Sequence, residues 1–386
     1  MKEILDIVLR ECGFVRRNPV YLLSFLVFPL FCVVFFTSLM AEGQPEDMPV
    51  GVVDIDNSSV SRNIVRRLDA MQSSRVVAHY PSVSDARKAV QRGEIYAFLY
   101  IPEGLKRDML SSRQPRLSFY YSSTSLTAGA LLYRDMKTVT TLASAAVGQA
   151  TLSAKGFTPR EAMTFLQPVA LDAHLLNNPF VNYNVYLSTI LVPGCILLFV
   201  MLLTAYSLGS ELKRRTAAQL LSMAGGSVSK AIFSKLLLHT ALFLFVMYAH
   251  YYVLYCILHF PHSGSVSYML ALGLLTVLAG QGFGLLAFAI VPSMRLSMSV
   301  CSLFSVLSFS MAGAAFPVFS MDAPLEALAW LFPLRHYWMV YSLNIFNGYP
   351  LSDTWPYFAM LLLFALLPLL FLRRLRRIFT TFVYTA

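Results

Sequence analysis

"SELKRRTAAQLLSMAGGSVSKAIFSK", residues Ser210–Lys235, is the longest clearly polar stretch in the second half of the chain. An apolar run long enough to cross a bilayer flanks it on each side. Glu211 to Arg215 is charged, and Thr216 can cap a helix that starts beyond it. Ala217, Leu220, Leu221 and Ala224 then repeat at helical spacing until Gly225-Gly226 stops them. A second helix restarts at Ser227 or Ser229 and runs into the next apolar stretch. A short helix lying along the membrane, with apolar side chains and no soluble domain of its own to pack on, predicts a docking surface for a partner.

Composition explains why such a segment stands out. Of 386 residues, 57% are hydrophobic and only 13% charged, with a mean hydropathy of +0.61; a soluble domain carries about 25% charged residues. The deficit is uneven. Residues 42–182 have an ordinary soluble composition, whereas 20–41 and 183–372 hold few charges. This pattern predicts an α-helical integral membrane protein with one polar insert.

The net charge of +10 would suit nucleic acid or anionic lipid, but its placement excludes nucleic acid as the partner. Apart from Arg335, every basic residue outside the insert lies at the end of an apolar run, on ends that alternate so as to share one side of a membrane. That is the positive-inside distribution. It places both termini and 211–235 in the cytoplasm and 42–182 outside, with lipid as the surrounding medium. The five cysteines, Cys12, Cys32, Cys195, Cys256 and Cys301, avoid the insert and lack metal-ligand spacing, so neither a disulfide framework nor a zinc site is expected.

Along the chain, residues 1–19 predict an amphipathic interfacial helix with Ile4, Val8, Glu11 and Val15 on one side. Residues 20–41 predict a first, uncleaved transmembrane helix kinked at Pro29. The insert, 42–182, reads as an α/β domain. "MPVGVVDID", "VVAHY", "IYAFLYIP" and "RLSFYYSS" are strands. Helices fall at 59–72, at "SVSDARKAVQRG" with Ser84 as its cap, at 125–155, and at 159–166 behind Thr158 and Pro159. Asp54 and Asp56 follow the first strand, where an Asx turn is a more frequent use than a cation site.

Five further spans are expected near 184–207, 232–258, 267–291, 296–319 and 354–372, followed by a cytoplasmic tail at 373–386. The Pro-broken segment around 320–350 carries Arg335 and His336. It reads as re-entrant or outer-leaflet helices rather than a full span.

No phosphate-cradling loop and no catalytic triad are present. "AGQGFG" at 279–284 lies inside an apolar run, so Gly280 and Gly284 read as a helix-packing face. His259 and His262 have no third ligand, so no metal is expected, and the chain itself needs no cofactor. His250 and Gln281 sit mid-span; each either lines a translocation path or makes an interhelical hydrogen bond.

With these residues in view, the chain resembles the permease subunit of an ABC-2 type ATP-binding-cassette exporter, in the multidrug-efflux-like branch with a large extracytoplasmic domain. That family often reads E-x-E-R-G-T-x-E-Q-L-L between its second and third spans. Glu211, Arg214, Thr216, Gln219, Leu220 and Leu221 match, while Lys213 and Arg215 replace a common Glu and Gly. "VRRNP" at 15–19, "PVGVVDIDNSSVSRNIVRRLDA" at 49–70, "AFLYIPEGLKRDMLS" at 97–111 and "AGAAFPVFSMDAPLEALAWLFPLRHYW" at 312–338 are similar to further family motifs, in order and across the whole chain.

The resemblance implies a subunit of the bacterial inner membrane with no ATPase site of its own. A separate cytoplasmic ABC ATPase would bind ATP and dock on a coupling helix at 211–224 and on the N-terminal helix. A second permease copy or paralogue would complete the path, and a periplasmic adaptor is a further candidate partner. The cargo class would be drug-like or lipid-like amphiphiles. The competing reading, a receptor or sensor with an extracytoplasmic ligand-binding domain, leaves the five later spans and the docking helix without a purpose.

Overall fold

Apolar length sets the architecture. The structure, a computed structural model, describes residues 2–111, 113, 115–168, 174, 177–178 and 181–381. Among these, six helices are long and apolar enough to cross a membrane: Pro19–Leu39, Tyr183–Lys213, Val228–Ile257, Val266–Ile290, Met294–Met311 and Leu351–Thr381. They are called here the first to sixth spans. Chain contacts divide the protein into two units: Glu42–His174, and the spans with everything attached to them.

The second span is the centre of the helical unit. It is 67% buried over its most apolar stretch, against 17% for the first and the sixth, and it packs on the first, fourth and fifth spans. Lipid offers no hydrophobic drive for helices to associate, so close approach has to come from small residues. Gly280 and Gly284 supply it, one turn apart on the fourth span. A Cβ at Gly280 would stand 2.7 Å from Leu197 Cδ1, and one at Gly284 would stand 2.7 Å from the Met201 carbonyl oxygen. Gly282, on the opposite side, backs onto the Phe364 carbonyl of the sixth span.

The second span runs past its expected end to Lys213, carrying Glu211 into regular helix; Arg214 caps it, and Arg215 turns the chain with φ 57°. The short helix Ala217–Met223 comes next, before the third span begins. The fifth span has only 18 residues. Beyond it come two short helices, Ala323–Ala329 and Pro333–Val340, and a wider turn through Phe346. The first rises only about 10 Å, and the second, continuous through Phe346, only about 21 Å, too little for either to cross, so the segment is a helical hairpin. Arg335 is buried because its guanidinium donates to the Glu326 carbonyl (3.1 Å) and lies 5.2 Å from the centre of the Trp330 ring. His336 Nε2 meets the Trp330 carbonyl at 2.8 Å.

The expected cytoplasmic tail at 373–386 begins as a helix. Through Thr381 the chain is helical: Leu372–Thr381 buries Leu375, Ile378 and Phe379 and leaves its four arginines exposed. Arg374 donates to the Ile290 carbonyl at 2.8 Å, satisfying an acceptor left open at the end of the fourth span. Residues 382–386 lie outside the described residues.

In the insert, β1 (Met48–Asp54), β2 (Ser74–His79), β3 (Ala97–Ile101) and β4 (Ser118–Tyr121) form one sheet in the order β2-β1-β3-β4. β1 is parallel to both neighbours, and β4 is antiparallel to β3. β1 reads as an almost unbroken apolar run because both faces are covered. Val50 faces a core with Ile64, Leu68, Leu99 and Leu132, and Val53 faces one with Ala86, Ala89 and Phe98.

Two local readings change. Ser82, not Ser84, caps the helix Val83–Gln91, because its hydroxyl accepts the Asp85 N–H while the Asp85 carboxylate accepts the Ser82 hydroxyl. Residues Leu105–Leu110 add a helix that the sequence reading left out. Thr158 and Glu161 form a reciprocal capping box, and the hydrogen bonds to the exposed Glu161 carboxylate hold its pKa below the usual carboxylate value. The Asp54 carboxylate accepts the Asn57 N–H at 3.0 Å, an Asx turn.

The two glycine contacts differ in what they meet. A methyl at Gly280 presses on side-chain ends that can rotate, whereas a methyl at Gly284 meets backbone. Gly284→Ala is therefore expected to cost about 1–3 kcal/mol as overpacking does, and Gly280→Ala distinctly less. Thermal unfolding midpoints of the two purified variants measure the difference; equal midpoints would contradict this packing.

Candidate functional site

The carboxylate of Glu211, at the last turn of the second span, is buried and surrounded by donors from three other elements. Arg10 of the N-terminal helix Lys2–Arg17 grips it with two bonds, Nη1 to Oε1 at 3.0 Å and Nη2 to Oε2 at 2.8 Å. Lys235 Nζ, from the third span, reaches Oε1 at 2.8 Å. The Thr216 hydroxyl, at the start of the short helix, donates to Oε2 at 2.5 Å. Lys235 also holds Glu11 Oε1 at 2.7 Å. Two cations and two carboxylates thus share one buried pocket with no net charge. Such a cluster is weak evidence for stability, but removing one member leaves an uncompensated buried charge.

Glu11 Oε2 has no hydrogen-bond donor among the described residues, and burial raises this carboxyl above its ordinary pKa although Lys235 pulls it down. His239 Nε2 stands 3.8 Å from that oxygen, with the imidazole packed between Tyr21 and Phe25 of the first span. Phe14 lies under the guanidinium groups of both Arg10 and Arg214, at 4.8 and 5.5 Å.

The short helix Ala217–Met223 lies beside this cluster. Of the six sequence-matched residues, Glu211 and Thr216 enter the ion network, and Arg214 and Gln219 stay exposed. Leu220 and Leu221, expected to face another chain, both have neighbours within this one. Leu220 is buried in a cluster with Ile7, Ala224 and Ala231. Leu221 is half-buried against a cluster that includes Val228, Ile232, Leu375 and Ile378. The N-terminal helix and Leu372–Thr381 supply the packing that the sequence reading found missing. What the segment shows outward is Lys213, Arg214, Arg215, Ala218, Gln219 and Ser222.

Arg10, Glu11 and Lys235 were missed as site residues, although Glu11 left a signal. Glu11 interrupts the apolar side of an amphipathic helix. Lys235 looked like one more basic residue at the end of an apolar run.

The two mid-span candidates are not brought together. Gln281 bridges the third and fourth spans: Thr240 donates to its Oε1 at 2.9 Å, and its Nε2 donates to the Leu236 carbonyl at 3.4 Å. His250, about ten residues from Thr240 and about 15 Å along the helix, is buried beside a cleft of about 100 Å³. Leu26, Leu30, Val33, Phe245 and Val253 form its apolar walls.

A family model described as ABC-2 family transporter protein matches residues 19–373. Comparison with curated proteins gives no match.

Lys235→Ala should leave two buried carboxylates facing each other, with a loss of about 3–5 kcal/mol. Glu11→Gln/Lys235→Gln keeps the site neutral and should recover much of that loss in a thermal-unfolding double-mutant cycle; a double variant no better than Lys235→Ala would show that charge balance is not the constraint. Leu220→Asp should yield aggregated or poorly inserted permease, read by gel filtration, since it loses roughly 1.5–3 kcal/mol of leucine burial and buries a charge.

Proposed function

The chain belongs to the ABC-2 family of transporter proteins, and on that premise we propose that it is the permease subunit of an ATP-driven exporter whose coupling surface is the exposed face of Ala217–Met223 with Arg214 and Arg215. The observation that carries this reading is the two-sidedness of that segment. Its inner face is bound to the N-terminal helix, the third span and the terminal helix. Its outer face offers Arg215, Ala218, Gln219 and Ser222.

A separate cytoplasmic ABC ATPase binds and hydrolyses ATP and presses on this face. Because Glu211, Thr216, Arg10 and Lys235 join four elements through one carboxylate, a push on the short helix displaces the second and third spans and the N-terminal helix together. Two permease copies, or this chain and a paralogue, enclose a path that then opens from the cytoplasm or inner leaflet to the outside. The cargo is a drug-like or lipid-like amphiphile. The basic end of the bundle and both termini are cytoplasmic, the membrane is the bacterial inner membrane, and the insert is extracytoplasmic, where a periplasmic adaptor would meet it.

Two experiments test this. Ala218→Trp/Ser222→Trp adds bulk only to the outer face, so the variant should stay monodisperse yet retain at least about tenfold less co-purifying ATPase, a change of about 1.4 kcal/mol. Undiminished retention, quantified by mass spectrometry, would move the coupling surface elsewhere. In a cysteine-free background, an impermeant thiol reagent on intact spheroplasts should label Ser84→Cys and spare Ser229→Cys; the opposite labelling would invert the topology.

A further inference from the structure

The insert holds a cleft that transport coupling does not use. β1 is the middle of three parallel strands. The chain leaves it towards β2 on one side, and later leaves β3 towards β4 on the other. The helices that follow β1 and β3, Ser59–Asp69 and Leu105–Leu110, pack on the same face of the sheet and touch each other, and a crevice lies between the segments that lead into them. Here the crevice has a volume of about 500 Å³ and is lined by Asp56 and Ser58, following β1, and by Gly104, Lys106, Arg107 and Ser111, following β3.

The lining is chemically asymmetric. The two aspartates after β1 have different fates. Asp54 is engaged by the Asn57 N–H, whereas Asp56 has a buried Oδ2 that no donor reaches among the described residues. A buried carboxylate oxygen without a donor is costly. Ser58 already accepts the Ser61 N–H, which leaves its hydroxyl proton free to donate. Across the cleft, Lys106 makes no ion pair among the described residues. Arg107 has only a long contact, 3.7 Å, to its neighbour Asp108. Gly104 adopts φ 79°, and a Cβ there would lie 2.8 Å from Arg107 Nη2, so the guanidinium folds over the glycine as one wall.

A simple anion would be attracted by Lys106 and Arg107 but repelled by Asp56, and a simple amine would meet the reverse. We infer that this cleft binds a small zwitterion, with its ammonium group against Asp56 and its phosphate or carboxylate against Lys106 and Arg107. Ser58 adds a hydroxyl donor to the anionic group.

The test uses the full chain in detergent, with hydrogen-exchange mass spectrometry of segments 54–62 and 100–111 as the readout and O-phosphoethanolamine as the probe. Saturable slowing of exchange by O-phosphoethanolamine is expected, with neither ethanolamine nor inorganic phosphate reproducing it at equal concentration. Asp56→Asn and Lys106→Ala/Arg107→Ala should each weaken the probe at least about tenfold, with the thermal midpoint of Lys106→Ala/Arg107→Ala unchanged because both side chains are exposed. The same protection in phosphatidylethanolamine nanodiscs without added probe would assign the zwitterion to a lipid headgroup; protection by the free compound alone would assign it to a soluble ligand. Equal protection by inorganic phosphate, no saturable protection by any probe, or undiminished binding by both variants would overturn the site. The inference rests on the insert alone, so its failure leaves the permease assignment untouched.

Discussion

One carboxylate organises the basic end of this protein. Glu211 sits where a helix leaves the apolar zone, and a lone charge there would be expensive. Arg10, Lys235 and Thr216 make it tolerable, and each comes from a different piece of chain. The second carboxylate, Glu11, balances the second cation. The arrangement is therefore fixed less by attraction than by the penalty for taking it apart. No member can leave without stranding another. An electrostatic closure of this kind resists partial loosening, so elements joined through it move as one body, which is the property a force-transmitting junction requires.

The rest of the helical unit obeys a different constraint. Away from the charged end, van der Waals approach replaces ion pairing. Gly280 and Gly284 let the fourth span sit on the second, and Gly282 admits the sixth from the other side. Some of the buried polar groups of the spans and hairpin find partners close at hand, whereas both ring nitrogens of His250 have none among the described residues. Gln281 is tied to Thr240 and Leu236, and Arg335 and His336 are tied to carbonyls of their own hairpin. Polar atoms at that depth persist where a neighbouring backbone or side chain meets them.

The sequence revealed those features that depend on local pattern. Spans announced themselves by apolar length, and β1 by its unbroken run. Thr158-Pro159 announced a capped helix, and a glycine pair one turn apart announced a packing face. Features that depend on distant residues stayed hidden. Leu220 looked unpartnered because the surfaces covering it come from Ile7, far earlier in the chain, and from the third span. Glu11 was visible as a misplaced charge and Lys235 as an ordinary basic residue at the end of a span, and nothing in either segment said that they answered one another. The assignment of the cap to Ser84 failed for a smaller reason. Both precede a helical pattern, and only the reciprocal bond with Asp85 separates them.

The brevity of the fifth span has a consequence for the lipid around it. Its 18 residues rise about 27 Å, slightly less than the ~30 Å hydrocarbon core of a typical bilayer. Most of this helix faces outward, with Leu296, Leu303 and Val306 exposed, and it leads directly into the short hairpin rather than into another full crossing. Hydrophobic mismatch of this sign draws the two leaflets towards each other beside the helix. A molecule crossing the membrane along that flank would find less hydrocarbon separating the two headgroup layers, so the protein's own silhouette would lower the barrier there.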